Sequence, residues 1–131
     1  MKTIVWAALT VAAAVVMGCG VDDTTPSDFT GGERNVSAQP SGATVAIRTD
    51  EAAVVRGRNA FVLAPFGGRV RAASGFMPAH GHGTKAPAIE VLPDGSQKVD
   101  LVLYMSGRWE VSFELDRNGA SELLRLDVQV P

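Results

Sequence analysis

From Ala43 onward one signal repeats along the chain: apolar and polar residues alternate in short runs. Successive side chains of a β-strand point to opposite faces, so a period of two marks strands with one face in a core and the other in solvent. Val45 and Ile47 form one such set, and Phe61 and Leu63 another. Val70, Ala72 and Ser74 lead to Phe76, and Ile89 and Val91 flank Glu90. Val99, Leu101, Leu103 and Met105 make a longer run, as do Trp109, Val111, Phe113 and Leu115, and finally Leu124, Leu126, Val128 and Val130. The runs are separated by Pro65-Phe66-Gly67-Gly68, Pro93-Asp94-Gly95-Ser96, Ser106-Gly107 and Asn118-Gly119, all turn-forming combinations. Residues 50–56 come nearest to a helical pattern but read better as a short strand with Val54 on one face. Together these features predict an all-β fold, an antiparallel β-sandwich of about seven strands, with Trp109 and Phe113 as its largest core side chains.

The N-terminus is built differently. MKTIVWAALTVAAAVVMGCG begins with a charge at Lys2, continues as an apolar run from Ile4 to Met17, and reaches small Gly18 just before Cys19. That order is the pattern of a secretory signal. The apolar run is short for a bilayer span, which takes about 20 residues. The stretch resembles the bacterial lipobox, which implies cleavage before Cys19 and lipidation of that residue. Cys19 is the only cysteine, so no intramolecular disulfide can form, and lipidation accounts for the odd thiol of an exported chain. Residues 20–42 are rich in Gly, Ser, Thr, Pro and Asp, with only Phe29 and Val36 large and apolar. A segment with so little to bury reads as a flexible tether. The expected organisation is a signal peptide over 1–18, a lipidated Cys and tether over 19–42, and a folded domain over 43–131. The partner implied is a membrane, reached through the lipid, in a cell envelope and facing the periplasm or the exterior. Gly20, rather than Asp, follows Cys19, which under the sorting rule of many enteric-type bacteria favours the outer membrane.

Charge narrows the function classes. Removing residues 1–18 takes away only Lys2, so Lys+Arg falls from 12 to 11 against 14 Asp+Glu, and the formal net charge moves from −2 to −3. A mildly acidic domain is a poor fit to nucleic acid or to anionic lipid through a basic patch. No Gly-rich loop follows a strand and opens a helix, so nucleotide binding has no support either. Ser74 and Ser106 lack the surroundings of a nucleophile elbow, and the carboxylates alternate with apolar residues or sit in turns. No nucleophile, base and orienting group can be assembled, so the reading is non-enzymatic.

One stretch carries chemistry. GFMPAHGHGT, residues 75–84, holds both histidines of the chain, His80 and His82, together with Met77 and three glycines. Residues i and i+2 of an extended segment project to one side, so His80 and His82 can address one point. Imidazole suits copper, zinc and nickel, and thioether sulfur adds a preference for Cu(I). Met105, at the end of its run and before Ser106-Gly107, is the candidate fourth ligand. The expected metal ligands are therefore Met77, His80, His82 and Met105, and the alternative is a polar turn with solvated imidazoles and core methionines.

FMPAHGHGT, followed by Pro87, Asp94-Gly95 and LVLYMSGRWEVSFEL, resembles the YtkA-like (FixH-related) domain. The corresponding pieces are Met77-Pro78, His82-Gly83, Asp94-Gly95, and Met105, Gly107 and Trp109, and the likeness spans roughly residues 43–131. It implies an immunoglobulin-like β-sandwich and a role near copper handling, with copper as cofactor and a copper-handling protein as partner. Relatives often have Met where this chain has His80, which makes the site richer in nitrogen and bears on the oxidation state it prefers. The competing expectation is a non-metal structural or protein-interaction β-sandwich of the cell envelope.

Overall fold

The computed structural model describes residues 28–131; the expected signal peptide, Cys19 and the first part of the expected tether lie outside them. The described chain is all-β, with nine strands in two antiparallel sheets. They are β1 (Glu33–Ser37), β2 (Thr44–Thr49), β3 (Gly57–Leu63), β4 (Arg69–Met77), β5 (His82–Gly83), β6 (Ile89–Val91), β7 (Gln97–Leu103), β8 (Gly107–Arg117) and β9 (Ala120–Val130). One sheet has the order β1-β2-β3-β7-β6 and the other β5-β4-β8-β9.

The two sheets enclose a single apolar core, as in a β-sandwich. Val45, Ile47, Phe61, Leu63, Val99, Leu101 and Leu103 face it from one sheet. Trp109, Val111, Phe113, Leu115, Leu124, Leu126, Val128 and Val130 face it from the other. These are the inward sets that period-two alternation predicts. Phe61 and Phe113 join the layers through an edge-to-face contact, with centroids 6.0 Å apart. Each such fully buried side chain contributes roughly 1.5–3 kcal/mol. The β8–β9 hairpin turns on Asn118-Gly119, both at positive φ (53° and 79°), as its sequence predicts.

Four expectations change. The folded part begins well before residue 43: Phe29 is buried, packs on Phe61 and bridges Val128 of β9, and β1 pairs with Thr44 to Arg48 of β2. An edge strand needs few apolar residues, because β2 pairs the backbone groups on its inner side while Val36 and the flanking Phe29 and Ala38 supply the contacts with the core. Residues 50–56 form bends rather than a strand, although Val54 is buried, with its N–H donating to the Thr30 carbonyl at 2.8 Å.

The third change is in β4. Its pairing with β8 slips between Val70 and Ala72, leaving Arg71 as the extra residue of a bulge. A single inserted residue exchanges the two faces of a strand. Beyond it Ala73, Gly75 and Met77 point inward, and Ala72, Ser74 and Phe76 point out. The fourth is the end of β7, which stops at Leu103, so Met105 lies in the bend that follows rather than within a strand.

Candidate metal centre

The His-containing stretch is the β4–β5 hairpin. Met77 pairs with His82, and the residues between them make the turn. The Met77 carbonyl accepts from the N–H groups of His80 (3.2 Å) and Gly81 (2.9 Å). Gly81 sits at φ 65°, a left-handed conformation that costs glycine no steric strain. Beyond β5 the pairing continues through Thr84, whose N–H donates to the Gly75 carbonyl while its Oγ1 accepts from the Gly75 N–H, both at 2.9 Å.

Gly75 also sets how closely the sheets approach here. A Cβ on this residue would meet Leu103 Cδ2 and Thr84 Cγ2 at 3.1 Å each, and Trp109 Cε3 at 3.5 Å. The end of β7 therefore comes down onto the hairpin. The Tyr104 ring lies edge-on to His82, with centroids 6.1 Å apart, and edge-on to Trp109 at 5.4 Å. Trp109 Nε1 donates to the Met105 carbonyl at 2.9 Å, which fixes the bend carrying that methionine.

The expected ligands sit in unlike settings. His80 and His82 are exposed and stack side by side, with ring centroids 6.2 Å apart and planes 23° from parallel. Because both are exposed, rotation that brings a nitrogen of each to about 2.0–2.1 Å from one ion meets no core packing. Met105 is half-buried against the edge of the core. Met77 is 1% exposed and is a core side chain, its methyl lying against Gly107. Releasing it from the core would forfeit about 1.5–3 kcal/mol of burial.

Among the described residues no three of His, Cys, Asp and Glu come together. Two imidazoles joined by a thioether would be a donor set suited to copper, above all Cu(I); Met77 lies in the hairpin and Met105 in the bend after β7. A structural zinc site normally takes four ligands from His, Cys and carboxylates. Tyr104 is a member of this region that the sequence pattern does not single out. Its ring contact with His82 depends on how β7 and β5 meet, which no short pattern encodes.

No family model, no curated protein and no solved structure matches this chain.

Proposed function

We propose that the β4–β5 hairpin is a copper-binding site, with His80 and His82 as nitrogen donors and Met105 as the sulfur donor. The observation that carries this reading is the pair of exposed, stacked imidazoles at one end of the sandwich, beside a bend that holds a half-buried thioether. Met77 serves as the packed support beneath the turn. Few donors at an exposed position favour exchange over storage, so the module binds, buffers or delivers copper and catalyses nothing. The immunoglobulin-like character of the sandwich and the likeness to YtkA-like domains belong to the same reading, as does a copper-handling protein partner. The lipobox pattern adds the place: an envelope protein held to a membrane by lipid on Cys19, outside the cytoplasm.

The test is a Cu(I) titration of the full chain in detergent against a competing chelator, alongside Cu(II) titration followed by spectroscopy. Stoichiometric binding lost on replacing both His80 and His82 by Ala, with the β-rich circular dichroism unchanged, is the expected result. Equal affinity in the double variant would refute the assignment and favour the non-metal interaction sandwich. For the anchor, metabolic labelling with palmitate should mark the wild type and not Cys19→Ser.

A further inference from the structure

A second feature lies beside Tyr104, along the five-stranded sheet. Between β5 and β6 the chain crosses from one sheet to the other and leaves a groove of about 630 Å³ against β7. Its walls are residues 83–88 on one side and Arg58, Asp100, Val102 and Tyr104 on the other.

The groove is an open sheet edge. In an antiparallel ladder alternate residues turn their N–H and C=O to the same neighbour. The Asp100 N–H donates to the Ala88 carbonyl at 3.2 Å, on the β6 side. On the opposite side, Asp50 N–H donates to the Ala60 carbonyl and Ala64 N–H to the Ala46 carbonyl, so the even residues of β3 turn to β2 and its odd residues to β7. The odd residues of β3 pair with odd residues of β7, as Asn59 does with Leu101. Val102 therefore turns both backbone groups away from β3 and into the groove. The β6–β7 ladder runs only from Val91↔Gln97 to Ile89↔Val99, and beyond Ala88 comes Pro87, which has no N–H to offer.

Two further properties define an occupant. Val102 and Tyr104, two residues apart and both lining the groove, are 52% and 44% exposed. The charges at the groove are Arg58, Lys85 and Asp100; Arg58 holds Asp100 at 2.6 Å, and among the described residues Lys85 makes no ion pair. The cationic excess faces a partner of negative charge.

We infer that this edge of β7 binds an extended acidic peptide segment by strand addition. Main-chain hydrogen bonds form to Val102, apolar side chains of the peptide cover Val102 and Tyr104, and a carboxylate of the peptide meets Lys85. Main-chain pairing supplies affinity in this mode, and alternate side chains supply selection. The inference stands on the groove alone and does not depend on metal binding at the His hairpin.

The probe is a short synthetic peptide of alternating glutamate and valine, added to the full chain in detergent while amide exchange and chemical shifts are followed by NMR. In the free protein the Val102 amide should exchange quickly beside protected Leu101 and Leu103. The peptide should slow Val102 exchange and bind at least tenfold more tightly than its lysine–valine counterpart. Lys85→Glu should remove that preference, and N-methylation of the peptide backbone, which leaves the protein untouched, should abolish binding. Equal binding of both charge types, or of the N-methylated peptide, overturns the inference. So does a fast-exchanging Val102 that the peptide leaves unprotected, or a dimer that forms through this edge without peptide.

Discussion

The Met77 methyl lies so close to Gly107 that a Cβ there would sit 2.9 Å from Met77 Cε. Gly107 opens β8 at φ 127°, a conformation side chains rarely adopt. The two effects differ in weight. A methionine methyl is the mobile end of a flexible side chain and can shift, whereas the backbone of Gly107 is held by its pairing with Val130. Gly107→Ala is therefore expected to cost about 1–3 kcal/mol through backbone strain. Urea unfolding measures it, and repeating the substitution in a Met77→Leu background should give the same loss. A loss that vanishes in that background would make the side-chain contact the cause.

Gln97 ties the two sheets together at the opposite end of β7. Its Oε1 accepts from the Val70 N–H at 2.7 Å and its Nε2 donates to the Gly68 carbonyl at 3.1 Å. Gln97 is 3% exposed, so Gln97→Ala leaves Val70 with a buried, unpaired N–H. Such a group costs about 1–3 kcal/mol. The expected outcome is a lower urea midpoint with an unchanged slope, the mark of a stability change without a change in exposed area.

The same strand shows what sequence patterns convey and where they stop. Period two identified the inward faces of β7, β8 and β9 because each runs without interruption from turn to turn. It misassigned the second half of β4, because the Arg71 bulge reverses the alternation. The trace was there, in the three-residue step from Val70 to Ala73, but Ala and Gly are too small to announce a buried face. β1 was missed for a related reason: Arg34 and Asn35 are tolerated at an edge whose neighbour supplies the hydrogen bonds. For the candidate site, the His spacing brought the two imidazoles into view, but as neighbours on an extended segment; the structure instead puts His80 in the turn and His82 in β5, a β4–β5 pairing too short for period two to mark. The settings of the two methionines were not legible either, because burial at the end of a sandwich depends on how β7 meets β4.

Asp94 organises the β6–β7 turn and gives stability a dependence on pH. Its Oδ1 accepts from the Ser96 N–H and its Oδ2 from the Ser96 hydroxyl, both at 2.9 Å. These bonds, the backbone one first, hold the Asp94 carboxyl below the usual carboxylate range. A carboxylate whose folded pKa is depressed stabilises the protein above its unfolded pKa, about 3.9, and the contribution disappears as pH falls through the folded value. Wild type should thus exceed Asp94→Asn in stability by a constant margin between about pH 5 and 7, with the margin closing below about pH 4. Thermal unfolding of both proteins across that range checks it, and a margin that persists at the acid end would place the effect elsewhere.

The two methionines at the His hairpin give the copper proposal its sharpest division. Met105 is half-buried in the bend fixed by Trp109, and Met77 is sealed in the core. Leucine preserves volume at either position, so each substitution should change stability by less than about 1.5 kcal/mol. Sulfur is lost in both. Under the proposed ligand set Met105→Leu weakens Cu(I) binding by about tenfold, roughly 1.4 kcal/mol, with Cu(II) binding little changed because imidazole carries it. Met77→Leu leaves both affinities near wild type. Competition titrations on the two variants decide the matter. The reverse pattern, loss at Met77 with Met105 silent, would mean that the core methionine swings out to reach the ion, and the free energy of vacating its place beneath Gly107 would then be drawn from copper binding itself.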